Sequence, residues 1–262
     1  MAILDDGIHF TGSVGPLSAY RMKGSDKIIL RRKGGASKAR IQQDPSFQRT
    51  REHNMEFSGR AKAAKVIRRA LTPVKHLADY NFTPWLIALC GNIQQQDLHS
   101  ERGQRNIYLS KHRHLLPGFK LNQRHPFDSV LRYPLAYAMD RATPSAQVEI
   151  PALIPGLHLV LPWTYPLYRF VISLGLAGDM IYNGNGYREP PPGQPGFAIQ
   201  HTAWQAAAQP FDGANLELQL STPAGADDTL VLCAGIEMGM PVTDAFTRPA
   251  RRAGAAGILA VG

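Results

Sequence analysis

The placement of proline limits what this chain can fold into more than any other feature of the sequence. Sixteen of its 20 prolines lie at or beyond Pro117. Proline breaks helix interiors and cannot donate to a β-ladder, so this part of the chain cannot be built from long helices. It offers period-two alternation instead. Leu131, Tyr133, Leu135, Tyr137 and Met139 alternate with smaller or polar residues, as do Tyr168, Phe170, Ile172, Leu174 and Leu176, and then Leu216, Leu218 and Leu220. Val148 and Ile150 flank Glu149. Leu230 to Ile236 is continuously apolar, as a central strand buried on both faces would be, and Gly257 to Val261 reads as a closing strand. Short strands separated by Gly/Pro turns predict an antiparallel β-sandwich of Ig-like type over residues 117–262. Glu189 to Gly196 (EPPPGQPG) reads as extended loop. Gly175-x-x-Gly178 and Gly184-x-Gly186 read as turns between strands, without the strand-to-helix setting of a phosphate cradle.

Residues 1–116 have a different character. Ile8 to Lys33 reads as a β-hairpin punctuated by Gly12, Gly15 and Pro16, then by Gly24-Ser25. Asp44-Pro45 opens a long helix, because Asp accepts from free N–H groups and Pro suits the first helical position. Phe47, Phe57, Ala61, Ala64, Ile67 and Leu71 form its expected buried stripe, and Pro73 closes it. Ser58, Gly59, Ala61, Ala63 and Ala64 are small enough to admit another backbone. Thr83-Pro84 repeats the cap-then-proline device for a second helix, with Trp85, Leu86, Leu89, Cys90 and Ile93 on its apolar side. Residues 97–116 read as a connection. The expected class is α+β: an N-terminal β-hairpin and two helices in 1–116, then the sandwich in 117–262.

Charge is divided as unevenly along the chain. Residues 1–132 hold 23 Lys/Arg against 10 Asp/Glu, a net of +13; residues 133–262 hold 6 against 10, a net of −4, and no lysine. The chain has 44% hydrophobic residues, enough for a core without metal or disulfide staples. Cys90 and Cys233 both sit in apolar runs and read as buried hydrophobes. Ile150 to Tyr168 carries no formal charge, yet four prolines keep it from forming a spanning helix. It reads as buried extended chain or as an adhesive surface. Asp5 and Asp6 leave no basic n-region ahead of an apolar run, so no Sec leader is expected and the cytoplasm is the expected location; release by lysis or a dedicated export route fits the same N-terminus.

No motif for nucleophilic, phosphate-binding or zinc-dependent chemistry occurs in the sequence. His112-x-His114 would point two rings to one face of a strand, but no Cys, Asp or Glu completes a metal spacing. No catalytic residue, cofactor or metal is therefore expected. The candidate binding residues are cationic: Arg31, Arg32 and Lys33 with Lys38 and Arg40 around Gly34-Gly35, then Arg49, Arg51, Arg60 and Lys62 along the helix.

A set of motifs runs through most of the chain: Gly12-x-Val14-Gly15, Tyr20, Arg32-Lys33-Gly34-Gly35, Asp44-Pro45-x-Phe47-x-Arg49-Thr50-Arg51-Glu52, Glu56-Phe57 and Ala61-x-Ala63. Gly118-Phe119, Leu121-Asn122, Asp140-Arg141-Ala142-Thr143, Ile150-Pro151, Pro155, Gly235-Ile236-Glu237 and Ala253-Gly254-Ala255 continue it. In these landmarks the chain resembles a family of uncharacterised proteins common in Bacteroidota, the arginine-rich helix start being the most specific. It departs where Met238-Gly239-Met240-Pro241 follows Glu237 in place of that family's polar Gln-Glu-Val-Asn-Gly stretch. The resemblance implies the fold outline and brings no catalytic residues.

The expected function is structural and non-enzymatic. A +13 half and a −4 half attract head to tail, and a heterologous contact that does not close builds a filament or tube. The expected partner is the chain itself. The alternative is a nucleic-acid-binding protein using the same basic surface, and a third reading is a carbohydrate- or ligand-binding sandwich with Trp163, Tyr165, Tyr182 and Tyr187 as loop aromatics.

Overall fold

A computed structural model describes residues 2–4, 10–22, 26–188 and 196–262. The chain divides into two compact units, Met1–Arg51 and Glu52–Gly262. In the first unit, β1 (Ala2–Leu4), β2 (Gly12–Val14), β3 (Leu17–Arg21) and β4 (Ile28–Arg32) form an antiparallel sheet in the order β1-β4-β3-β2. The expected simple hairpin is thus a four-stranded sheet; Ile8, His9, Gly24 and Ser25 lie outside the described residues. The short helix α1 (Lys38–Gln43) starts at Ser37, whose hydroxyl accepts from the Arg40 N–H. Asp44 then accepts from the Ser46 N–H and caps a 3-10 turn over Pro45–Phe47, which runs into α2 (Gln48–Ala70).

Ala64, Ile67 and Leu71 of the expected stripe are buried, but Phe57 is 56% exposed, and Glu56, Gly59, Ala63, Val66 and Ala70 of the long helix face inward as well. The inner face is set by close approach to the sheet rather than by bulk. Ala70 lies on Gly175, where a Cβ would stand 2.7 Å from the Ala70 Cβ. That contact puts Gly175 in mid-strand and not at a turn. The helix stops at Ala70, before Pro73. The next helix, α3 (Thr83–Gln94), includes Thr83 in its first turn, and the Asn81 side chain accepts the Thr83 N–H. Leu86, Cys90 and Ile93 are buried as expected, but Trp85 is 60% exposed.

After the single-turn α4 (Phe127–Val130), the remaining elements are strands: β5 (Ala136–Asp140), β6 (Ser145–Ile150), β7 (Leu167–Gly178), β8 (Ile181–Tyr182), β9 (Tyr187–Arg188), β10 (Phe197–His201), β11 (Gln205–Ala206), β12 (Ala214–Gln219), β13 (Asp228–Thr243) and β14 (Phe246–Val261). All their pairings are antiparallel. One sheet has the order β10-β7-β13-β14, with β11 also on β7; a second has the order β12-β6-β5; β8 and β9 form a small hairpin around Gly184 and Gly186. The fold is α+β.

The pleat of β7 explains the layering. Tyr168, Phe170, Ile172 and Leu174 point into a core shared with Val148, Ile150 and Leu218 of the three-stranded sheet. Val171 and Ala177 point the other way, into a core shared with Ile67, Leu86 and Cys90 of the helices. Leu116, Leu121, Val231 and Ile258 belong to this second core. The compact division consequently falls after Arg51 and not at the compositional change near Pro117, because the helices pack on the larger sheet.

Two strands differ from their expected limits. The alternation from Leu131 becomes regular strand only at Ala136, after Pro134; Leu131 itself makes an isolated bridge to Leu159. β14 starts at Phe246, well before Gly257, because its first part pairs with β13 despite Pro249. Glu237 pairs with Gly254 and Gly239 with Pro249, so β14 carries extra residues in a bulge there, and Arg252 adopts φ 56°.

Candidate functional site

In the first unit, Arg31, Arg32 and Lys33 emerge where β4 ends, and all three are exposed. The Arg31 guanidinium lies 5.2 Å from the centroid of the Tyr20 ring, on the adjacent strand. The Lys33 N–H donates to the Pro16 carbonyl at 2.6 Å, which fastens the run to the β2–β3 turn. Gly35 has φ +95° and open space at its Cβ position, so the main chain is approachable there. Lys38 and Arg40 follow on α1, also exposed.

Several of the expected binding cations are engaged inside the fold. Arg40 Nε donates to Asp44 at 3.1 Å and lies over the Phe47 ring. The Asp44 carboxyl is held below its ordinary range by the Ser46 hydroxyl, then by the Ser46 N–H and Arg40. Arg51 donates to the Ile41 and Asp44 carbonyls at 2.8 and 2.9 Å, bracing the end of α1 against the start of α2. Arg49 is exposed on α2. Arg60 and Lys62 belong to the second unit. Arg60 donates to Gln94 at 2.6 Å and to Glu56 at 3.2 Å, and Lys62 donates to the Tyr187 carbonyl at 2.7 Å. Arg105 completes this network with two bonds to Glu56, at 2.7 and 2.8 Å. Burial pushes the Glu56 carboxyl up, but Arg105 and the Gly103 N–H outweigh it and hold the group ionised. These contacts stabilise the fold.

A second charged cluster was not anticipated from sequence. Glu237, 2% exposed, sits within the apolar stretch of β13 from Leu230 to Val242. His76 Nε2 lies 2.7 Å from one carboxylate oxygen, and Arg169 of β7 contacts the other through Nε at 2.7 Å and a terminal nitrogen at 2.6 Å. The Arg169 guanidinium also stacks 4.4 Å from the Trp204 ring centroid. Burial raises the Glu237 pKa, but the hydrogen bonds from His76 and Arg169 overcome it and leave the group below its ordinary value. Burial lowers the pKa of nearby His201, and the Arg169 charge lowers it further. The available signal was Glu237 itself, an acid within a strand that should be dry on both faces.

Beside this cluster lies an open cup of about 760 Å³, bounded by Leu167, Arg169, Trp204 and the ribbon that β13 and β14 form past Gly239. A Cβ at Gly239 would come within 2.5 Å of the Trp204 ring, so the indole can lie there only against glycine. Met240, Val242 and Phe246 on the ribbon are exposed.

Other expected features are placed as follows. Cys90 and Cys233 are free and buried, and burial pushes both thiols up to about 12. The His112 and His114 rings meet edge to face at 6.2 Å, and among the described residues no group of three or more His, Cys, Asp or Glu gathers at a metal-binding distance. Tyr187 is buried, donating its hydroxyl to the Arg105 carbonyl at 2.7 Å, so it is not a loop aromatic. In the proline-rich stretch, Leu153 and Leu159 are buried while Ile154 and Leu157 are exposed. Glu189 to Pro195 lies outside the described residues. No helix among the described residues is long and apolar enough to cross a membrane. No known family model matches the chain, and no curated protein matches it.

Proposed function

We propose that this chain is a structural, non-enzymatic protein, a self-assembling subunit of a filament, tube or other polymer. Its contacts run head to tail, the basic N-terminal half of one copy meeting the mildly acidic C-terminal half of the next. The observation that carries this reading is the charge division, +13 over residues 1–132 and −4 over 133–262. The exposure of Arg31, Arg32, Lys33 and Lys38 supports it. So do the apolar side chains of Ile154, Leu157, Val242 and Phe246, which stand in water and can supply the dry part of an interface. In this reading the two facing sheets of the second unit serve as an Ig-like sandwich. Charge sets register and on-rate more than affinity.

A second reading has one specific observation in its favour. The Arg31–Tyr20 pair beside the open Gly34-Gly35 main chain is a combination that also suits a phosphate backbone. The variant Arg31→Ser/Arg32→Ser/Lys33→Ser separates the two. The self-assembly reading expects slower assembly with a flatter salt dependence in nuclease-treated protein. Unchanged assembly together with lost nucleic-acid retention would overturn it in favour of nucleic-acid binding.

A further inference from the structure

The cup beside Trp204 lies at one end of the larger sheet, and Gly196, the residue after the proline-rich segment Glu189–Pro195, lies at the other. At one end Gly239 of β13 pairs with Leu167 of β7, and the ribbon projects past that pair. At the other end the Gly196 carbonyl, which directly follows the proline-rich segment, accepts the Leu176 N–H at 3.0 Å. Leu167 and Leu176 are nine residues apart on one strand, about 30 Å at the usual rise. A stretch of seven residues extends at most about 25 Å, and this one must also return to Arg188. The segment cannot reach the cup of its own copy.

The chemistry of the cup narrows what it can accept. Pro241 and Pro249 have no N–H to offer an added strand, so edge pairing along the ribbon is blocked at both. The walls are Trp204, Leu167, Phe246 and those two prolines, with Arg169 and Asp244 as the charged groups. An aromatic and apolar groove of this type takes polyproline-type chain, which enters already extended and loses little entropy. Glu189-Pro190-Pro191-Pro192-Gly193-Gln194-Pro195 is the one proline cluster of that kind in the sequence. Its single charge is acidic, and Arg248 stands on the ribbon opposite Met240.

We propose that the cup of one copy binds the Glu189–Pro195 segment of a second copy. This rests on the self-assembly reading and gives it a specific contact between two different surfaces of the second unit, heterologous and able to propagate. The probe is a synthetic peptide of residues 187–198, titrated calorimetrically into the full chain, with a control peptide carrying serine at Pro190, Pro191 and Pro192. Saturable binding is expected, at least about tenfold weaker for the serine peptide and lost in Trp204→Ala. Because Trp204→Ala also disturbs the packing on Gly239, the full-length variant Pro190→Ser/Pro191→Ser/Pro192→Ser provides the independent arm. It leaves the cup intact and is expected to keep the wild-type circular dichroism while losing assembly by light scattering. Assembly untouched by the serine variant, or no binding of the wild-type peptide, overturns the cup contact and leaves the self-assembly reading standing. A wild-type protein that stays monomeric overturns both.

Discussion

Replacing Glu237 by alanine removes a buried carboxylate that holds two side chains from different parts of the fold, His76 before α3 and Arg169 on β7. Breaking a fully buried ion pair by deleting one partner costs about 3–5 kcal/mol, and a hydrogen bond to a charged group contributes about 1.5–3 kcal/mol. The cost here falls below the first range. The His76 side chain is half exposed and can rehydrate, and Arg169 keeps its stack on Trp204. A loss of about 2–3 kcal/mol at neutral pH follows, which for a unit of this size lowers Tm by about 2–4 °C per kcal/mol. The pH dependence has a definite sign. The folded Glu237 pKa lies below its ordinary value of 4.5, so its contribution is complete above that value and disappears as pH falls through the lower folded one. The gap between wild type and Glu237→Ala therefore narrows on acidification. Urea unfolding followed by circular dichroism over a pH series measures it. A gap that widens towards acid, or no gap at neutral pH, would refute the reasoning.

Three further outcomes are expected. Gly175→Ala puts a methyl group on Ala70 of α2, where neither backbone can yield cheaply; urea unfolding should show a loss of about 1–3 kcal/mol. Arg60→Ala breaks the bonds to Gln94 and Glu56 and should cost about 1.5–3 kcal/mol, whereas Arg32→Ala, at an exposed position, should change stability by less than about 0.5 kcal/mol. With both thiols buried and pushed up to about 12, Cys90 and Cys233 should resist an aromatic disulfide reagent in native protein and react only once urea unfolds the chain; rapid native labelling would show that the cores are not closed.

Strand positions were legible where alternation was uninterrupted. β7 and β12 follow the pattern of their leucines and aromatics, and the continuous apolar run around Cys233 is a central strand because helices cover one face and a sheet the other. The first half of β14 was not legible, since Pro249 lacks a ladder N–H and Arg251 and Arg252 fall in the bulge, so only the pairing of the flanking residues with β13 defines the strand there. On α2, bulk suggested Phe57 as a core residue, but the helix approaches the sheet so closely that its small residues face inward. The Asp44-Pro45 start was readable because capping is local. The Glu237 cluster was not, because His76, Arg169 and Trp204 are separated in sequence by long stretches and meet only in the folded chain, Arg169 through strand register with Glu237. The candidate cations were readable by type, and Glu56 is a local partner one helical turn before Arg60, but the partners Gln94 and Tyr187 come from tertiary packing.

Negative-stain electron microscopy of nuclease-treated protein at low and high salt tests the central proposal most directly. Head-to-tail assembly predicts regular filaments or tubes at low salt that shorten or disperse as salt screens the contact between unlike halves. Dispersed single particles at both salt concentrations would contradict it.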